Sequence, residues 1–263
     1  METKVFRLTF ALYILGILSN TQLLPLCVIL AFVISAHLNN HSTFACHITA
    51  FCLGYLTGMT PFALVSASAN KIPFAFIVYM SSMSVAHMFE YLFVCAFHFD
   101  ELKWDSYLIN QSKQYVAAAM VSWVEFYLEF GLIPESVTSL TLKVGLVCIF
   151  IGHYLRIGAM FTAAKSFHHI VQSEKAPTHV LVTDGVYSWF RHPSYFGWGL
   201  WAIGTQIILC NPFSMVAYAF AAQSFFASRI PYEEYQLVEF FGEAYKEYAR
   251  KVPIRIPYIK SRF

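Results

Sequence analysis

The chain has 263 residues, of which 58% are hydrophobic and 12% are charged, and its formal net charge is only +2. Soluble domains carry about 25% charged residues, so a soluble fold of this length could not keep so much apolar surface from water. A bilayer removes that problem, and the 26 Phe and 16 Tyr suit lipid and the membrane interface. Composition therefore predicts an integral membrane protein, and the small net charge indicates no nucleic-acid partner.

Eight apolar segments follow one another along the chain. Each is a candidate membrane-spanning helix, because a hydrocarbon layer about 30 Å thick needs roughly 20 apolar residues. The first two and the last two are short, and turn signals at 19–21 and 210–212 separate the members of each pair. We therefore predict an all-α integral membrane protein with about eight transmembrane helices, including two helical hairpins. The segments are 6–18, 22–37, 44–65, 73–97, 115–132, 137–161, 195–209 and 212–228.

Basic residues are spread unevenly over the connections between these segments. An even number of crossings puts both termini on one side, together with the stretch 165–191, whereas the other side receives mainly Lys71 and Lys143. Connections rich in Lys and Arg face the cytosol, so both termini are expected to be cytosolic. The basic residues on the terminal side also include Lys4, Arg7, Lys246, Arg250, Lys251, Arg255, Lys260 and Arg262.

The chain changes character near Arg156. Before it come apolar segments with short connections; after it come a polar stretch at 162–193, the last hairpin and a charged, aromatic tail. We divide the chain into residues 1–155, a supporting and substrate-entry region, and 156–263, a catalytic region. The tail also predicts a helix with one apolar stripe that packs under the membrane domain. The stripe residues are Leu237, Phe241, Tyr245 and Tyr248.

The polar stretch ends in a run that suits an anion at a helix start. Asp184 and Gly185 allow a sharp turn, and Pro193 fits the first turn of the seventh helix, where its missing N–H costs nothing. The next two backbone N–H groups would point at a negatively charged ligand group, helped by the helix dipole. Arg191 and His192 would add donors there. Residues 191–195 are thus a predicted binding site for a carboxylate or phosphate, which we call the anion seat.

A second polar cluster, Arg229 with Glu233 and Glu234, comes where the eighth helix should leave the bilayer. The cluster could be no more than an interfacial cation beside a solvated acidic turn. The final hairpin, however, returns its chain to the side it left and so brings Arg229 and Glu233 near the anion seat. The two residues share one helix face if Pro231 does not interrupt the helix. From the residues alone, we predict a cytosol-facing cavity with an anion seat, an Arg and a Glu at the bilayer surface.

Four strings in this half of the chain together resemble the isoprenylcysteine carboxyl methyltransferase family, and the likeness extends over roughly residues 85–260. One of them, R-H-P-x-Y-x-G, is shared with membrane sterol reductases and other small membrane methyltransferases, so the combination carries the resemblance. The strings are L-V-T-x-G-x-Y at 181–187, R-H-P-x-Y-x-G at 191–197, R-x-x-x-E-E at 229–234 and F-G-x-x-Y-x-x-Y at 241–248.

The resemblance implies a methyltransferase of the endoplasmic reticulum membrane with a cytosolic active site. It would transfer a methyl group from S-adenosylmethionine to the C-terminal carboxylate of a farnesylated or geranylgeranylated cysteine. Its partners would be prenylated CaaX proteins, such as small GTPases, after removal of the last three residues. Arg229 would bind the substrate carboxylate as the catalytic residue. The residues implied for the S-adenosylmethionine pocket are Gln172, His179, Val180, Leu181, Val182, Tyr187, His192, Pro193, Ser194, Tyr195 and Glu233.

Two other functions stay open at this point. An NADPH-dependent sterol reductase-like enzyme would place a phosphate-rich cofactor on the same anion seat. A transporter or receptor would bury its ionisable residues in mid-bilayer, whereas here they gather at one face, with Glu90 and Glu125 as exceptions. No metal is expected, because the histidines at 37, 41, 168 and 169 do not form the several spaced boxes of a di-metal membrane oxygenase.

Overall fold

The structure is a computed structural model, and it describes residues 2–19, 41–66, 71–109, 111–133 and 137–259. Every regular element within these ranges is a helix, which confirms the all-α prediction. Short 3₁₀ turns lie at Phe99–Glu101, Trp104–Tyr107, Ala164–Ser166 and Gly185–Ser188. The α-helices are α1 (Glu2–Leu18), α2 (His41–Ser66), α3 (Lys71–Phe97), α4 (Lys113–Leu132), α5 (Ser139–Ala163), α6 (Pro193–Leu209), α7 (Pro212–Phe241) and α8 (Glu243–Lys251).

Seven of the predicted segments correspond to one helix each, from α1 to α7. The remaining segment, 22–37, lies outside the described residues. By length and composition, the spans Phe74–Phe97 and Ser139–Ser166 could each cross a membrane. Helices α1 and α6 have only 17 residues each, fewer than the roughly 20 that a straight crossing needs.

Helix α7 is longer than its predicted segment, because it continues past residue 228 to Phe241. Pro231 lies inside the helix without ending it. A proline there removes one backbone N–H, which weakens a helix but does not break one that is held by packing on both sides. Arg229 and Glu233 therefore stand four residues apart on one continuous helix, so the condition under which the sequence placed them on one helix face is met.

The tail does not form the single helix that its apolar stripe predicted. Gly242 has a φ of +56°, so the chain turns out of α7 before α8 begins. Glycine reaches this left-handed region at little cost, because it has no Cβ. Tyr245 and Tyr248 are still buried in one cluster, where Leu181 of the polar stretch packs against them. The prediction of one helix was wrong, because the stripe spans a helix break.

The chain forms two compact units. The first comprises Met1–Val144 with Thr205–Asn211, and the second comprises Gly145–Gly204 with Pro212–Phe263. All the predicted catalytic and cofactor-binding residues belong to the second unit.

The first unit has an aromatic core that joins its helices to a connecting turn. The Tyr107 ring stacks on Tyr91 at a centroid distance of 4.1 Å, and its hydroxyl donates to the Cys46 carbonyl at 2.7 Å. A buried polar network holds another part of this unit. The Ser122 hydroxyl donates to Gln206 Oε1 at 2.8 Å, and Asn211 Nδ2 donates to the Ser122 carbonyl at 2.8 Å. Each bond satisfies a polar group that would be costly to bury alone.

In the second unit, α5 and α6 touch through glycines. A Cβ on Gly152 would lie 2.7 Å from the Trp201 backbone nitrogen and 2.8 Å from the Gly197 carbonyl oxygen. A Cβ on Gly197 would lie 2.7 Å from the Arg156 backbone nitrogen. Small residues allow such close backbone contact between membrane helices. The contact places Arg156 of α5 beside the beginning of α6, where the predicted anion seat lies.

We expect Gly152→Ala to destabilise the protein by about 1–3 kcal/mol, because backbone atoms lie where the new methyl group must go. The melting temperature of the purified protein in detergent measures this loss. Gly131→Ala in α4 is the matched control, since a Cβ there meets nothing within 4 Å. A Gly152→Ala protein with the melting temperature of the wild type would contradict the packing described for α5 and α6.

Candidate active site

The side chain of Arg229 is held by polar and aromatic contacts. Its Nε donates to the Tyr195 hydroxyl at 2.7 Å, and its Nη2 donates to the His169 carbonyl oxygen. The guanidinium carbon also lies 5.4 Å from the ring centroid of Phe225 and 5.8 Å from that of Tyr195. Within the described residues these hydrogen bonds use Nε and Nη2. The guanidinium is therefore oriented before any carboxylate arrives.

The Tyr195 hydroxyl connects Arg229 with Glu233. It accepts the bond from Arg229 Nε and donates to Glu233 Oε2 at 2.5 Å. The other oxygen of Glu233 lies 3.6 Å from Nδ1 of His192. The Glu233 side chain keeps 27% of its surface exposed, so a ligand can still reach it. Arg229, Glu233, Tyr195 and His192 thus meet in one place, as the final hairpin predicted.

Glu234 faces the opposite way, into the protein. Its Oε1 atom lies 2.9 Å from Nη1 of Arg191 and 3.2 Å from Nε2 of His192, and it accepts a hydrogen bond from the Tyr245 hydroxyl at 3.2 Å. The side chains of Arg191 and Glu234 are each 1% exposed. Arg191, which we expected to add a donor to the anion seat, is instead engaged by Glu234, because a buried guanidinium needs a counter-charge.

His192 lies between two carboxylates and is held as a cation. Burial alone would lower its pKa, but the hydrogen bonds and charges of Glu233 and Glu234 outweigh burial and raise the pKa to about 9. Burial likewise raises the pKa of Glu233, but His192, Tyr195 and Arg229 outweigh it and lower that pKa. The Tyr195 ring stacks on the imidazole at a centroid distance of 5.7 Å. At neutral pH the cationic His192 therefore lies in a fixed position between two anionic neighbours, Glu233 and Glu234.

The start of α6 has the donors predicted for an anion seat. The Phe196 N–H bonds to the His192 carbonyl at 3.2 Å, so the N–H groups of Ser194 and Tyr195 precede the first bond of the helix. The Ser194 hydroxyl accepts a hydrogen bond from Nη1 of Arg156. Sequence reasoning did not assign Arg156 to the site. The available signal was a cation inside a long apolar helix, which usually marks function.

The remaining predicted cofactor residues lie in the polar stretch before α6. His179 Nε2 contacts the Ser166 carbonyl at 3.0 Å, and the Tyr187 hydroxyl donates to the Ala159 carbonyl at 3.3 Å. Gln172 bonds locally to the Ile170 carbonyl. Val180 is exposed, Val182 is half-buried, and Leu181 packs against the tail tyrosines. Residues 179–182 are consecutive and all of these residues belong to the second unit, but the hydrogen bonds described for Gln172, His179 and Tyr187 go to other residues.

Residues 144–239 match the model of the isoprenylcysteine carboxyl methyltransferase (ICMT) family. The protein-S-isoprenylcysteine O-methyltransferase of Xenopus laevis is 46% identical over 216 residues, which cover 81% of this chain and 74% of that protein. The chain belongs to this family. The Homo sapiens protein of the same name is 49% identical over 185 residues, which cover 70% of this chain and 65% of the human protein, just under two thirds of its length.

A solved structure of a eukaryotic intramembrane Ras methyltransferase of this family matches with a TM-score of 0.81. It is 36% identical, and the match covers 98% of this chain and 96% of that one. The family and the enzyme class inferred from the sequence are thereby confirmed, and the sterol reductase alternative finds no support. The likeness to an intramembrane enzyme over nearly the whole chain also indicates a multi-pass membrane protein.

The charge on His192 predicts how stability depends on pH. Its pKa is about 9 in the folded protein against an ordinary 6.5, so between these values the folded state holds a proton that the unfolded state releases. The contribution is complete below pH 6.5 and is lost as the pH rises through 9. We expect a loss of about 3 kcal/mol over this window, since the two pKa values differ by about 2.5 and each pKa unit corresponds to 1.36 kcal/mol.

Melting temperatures of the purified protein at several pH values from 6 to 10 measure this loss. The His192→Gln protein is the reference, because the other titrating groups are common to both proteins. The wild-type melting temperature should fall more steeply with pH than that of the variant. Equal slopes would show that His192 does not hold the extra proton.

Proposed function

We propose that this protein transfers a methyl group from S-adenosylmethionine to the C-terminal carboxylate of a prenylated cysteine. The substrates would be CaaX proteins, such as small GTPases, after prenylation and removal of the last three residues. One observation carries the proposal: a pre-oriented Arg229 lies one helical turn from Glu233, and the Tyr195 hydroxyl links the two. A cation and a carboxylate side by side suit an anionic acceptor and a cationic methyl donor.

The residues at this site fit the charged parts of S-adenosylmethionine. The N–H groups of Ser194 and Tyr195, which precede the first hydrogen bond of α6, match its carboxylate, and Arg156 lies nearby. The partly exposed Glu233 carboxylate matches its positive groups. When bound, this cofactor supplies a methyl group on a sulfonium centre. We propose that the residues that hold it are Gln172, His179, Val180, Leu181, Val182, Tyr187, His192, Pro193, Ser194, Tyr195 and Glu233.

The proposed role of Arg229 is to orient the acceptor carboxylate. A C-terminal carboxyl group has a pKa near 3.3–3.7 in water, so it is already ionised at neutral pH and needs no general base. Orientation of two reactants can contribute about 7–11 kcal/mol to catalysis. Tighter binding of the carboxylate by Arg229 would stabilise the bound substrate as well as the transition state, and so would not raise kcat. The hydrogen bonds that Arg229 donates to Tyr195 and His169 restrict the orientation of the guanidinium, which serves this role.

The second unit has surfaces for both kinds of ligand. The first half of α7 exposes Phe213, Val216 and Phe220 at helical spacing, and such a face suits contact with lipid acyl chains. A prenyl chain is apolar and would arrive from that side, whereas the polar cofactor would come from the cytosol. We propose an endoplasmic reticulum location with both termini and the active site in the cytosol. In this scheme residues 156–263 form the catalytic region, and residues 1–155 support it and admit the substrate.

Transfer of labelled methyl from S-adenosylmethionine to N-acetyl-S-farnesylcysteine by the purified, lipid-reconstituted protein tests the proposal. We expect base-labile label with the wild type. Arg229→Ala should lower kcat/KM for the farnesylcysteine by roughly 10- to 100-fold, because one charged hydrogen-bond partner is worth about 1.5–3 kcal/mol. Its affinity for adenosylhomocysteine should stay near that of the wild type.

Arg250→Ala is the matched control, because Arg250 pairs on the surface with Glu243 and its side chain is 60% exposed. It should transfer methyl at the wild-type rate. Equal transfer by Arg229→Ala and the wild type would remove Arg229 from the reaction. A folded wild type that binds adenosylhomocysteine but labels no farnesylcysteine would overturn the proposed acceptor.

A further inference from the structure

The C-terminal tail is attached to the loop that leads into α6 at several points. The Tyr248 hydroxyl donates to the Tyr187 carbonyl at 2.6 Å and contacts the Phe190 carbonyl at 3.4 Å. The backbone N–H of Arg191 donates to the Pro253 carbonyl at 3.2 Å. These bonds run between main-chain atoms of the loop and residues of the tail. The path of the loop between Tyr187 and Arg191 therefore depends on the tail.

The strongest attachment passes through Glu234. A single carboxylate oxygen, Oε1, contacts Arg191 and His192 on the loop and Tyr245 on α8. The Nε and Nη2 atoms of Arg191 are buried and have no hydrogen-bond partner within the described residues. Arg191 therefore depends on Glu234 for its compensation, and any shift of the carboxylate shifts the two residues that immediately precede Pro193.

We infer that Glu234 and Tyr245 are positioning residues for the cofactor site: through Arg191 and His192 they fix the beginning of α6, and Tyr245 thereby connects the tail helix α8 to that site. The inference rests on the cofactor site proposed above. Neither residue is exposed to a ligand, since both are 1% exposed. They act through the backbone N–H groups that follow Pro193 and through the orientation of the His192 ring.

Neutralising Glu234 has a second consequence that a change in packing alone would not have. His192 faces Glu233, Glu234 and the Tyr195 ring, and Arg191 and Tyr245 reach it through Glu234. The two carboxylates together raise the pKa of His192 to about 9. Removal of one carboxylate charge lowers that pKa, so His192 loses its proton at a lower pH. The alkaline limb of the pH–activity profile should therefore move to lower pH in Glu234→Gln. Tyr245→Phe removes no carboxylate, so its alkaline limb should stay in place.

Full-length protein in lipid nanodiscs provides the test, with the variants Tyr245→Phe and Glu234→Gln. The measurements are the Kd of adenosylhomocysteine by calorimetry and the KM values for S-adenosylmethionine and N-acetyl-S-farnesylcysteine. Tyr245→Phe should raise the cofactor Kd about 3- to 10-fold, and Glu234→Gln about 10-fold or more. The farnesylcysteine KM should stay within about twofold of the wild type, because the hydrogen bonds described for Arg229 go to Tyr195 and His169. Glu234→Gln should also move the alkaline limb to lower pH.

Two neighbours serve as matched controls. Tyr235→Phe removes a hydroxyl from a half-exposed residue adjacent to Glu234, and Glu243→Gln neutralises an exposed carboxylate on α8. Both should bind the cofactor with wild-type affinity. If Glu234→Gln does not fold, Tyr245→Phe alone decides, since it keeps the ion pair.

Wild-type cofactor affinity in Tyr245→Phe would overturn the inference, and so would a parallel loss of cofactor and farnesylcysteine affinity, which indicates general loosening. Failure of the wild type itself to bind adenosylhomocysteine would overturn the proposed function, and the inference with it. The selective loss of cofactor affinity would support both.

Discussion

A guanidinium buried to 1% exposure is expensive unless an opposite charge lies against it, and Arg191 meets that condition through Glu234. Removal of one partner from such a pair typically costs about 3–5 kcal/mol, because the other charge is left buried and uncompensated. The pair joins the loop before α6 to the C-terminal third of α7, and the Tyr245 hydroxyl of α8 donates to the same oxygen. The arrangement of the candidate site therefore depends on this contact.

The two adjacent carboxylates on α7 have different roles in the site. Glu234 points into the protein and compensates Arg191, whereas Glu233 stays partly exposed and reaches toward Tyr195. His192 lies between them, and both carboxylates stabilise its positive charge. This division keeps one carboxylate structural and leaves the other for a cationic ligand. Since Tyr195 touches both Arg229 and Glu233, the proposed acceptor and cofactor positions share one hydroxyl group.

Apolar length and turn signals predicted most of the helices, because hydrocarbon thickness sets the length of a spanning helix regardless of its partners. The meeting of Arg229 with His192 was also predictable, since a hairpin returns its chain to the side it left. The continuation of α7 through Pro231 and the break at Gly242 were not. Tertiary packing decides whether a helix survives a proline, and a stripe of apolar residues continues across a break when both helices pack on the same neighbour.

The environment of the charged residues was the least predictable part of the site. Arg191 and Arg156 both precede α6 in the chain, and only the fold shows that one is buried against Glu234 while the other donates to Ser194. Charge pairing across long separations leaves no periodic signal in one sequence. The close contact of α5 and α6 at Gly152 and Gly197 brings Arg156 to the anion seat, and a single glycine carries no mark of such a partner.

The most direct test of the account is a structure of the lipid-reconstituted protein with adenosylhomocysteine and an S-farnesylcysteine bound together. The cofactor carboxylate should lie at the first N–H groups of α6, and Glu233 should contact a positively charged group of the cofactor. The farnesylcysteine carboxylate should lie within hydrogen-bond distance of Arg229. A cofactor bound away from the start of α6, or a substrate carboxylate that does not contact Arg229, would contradict it.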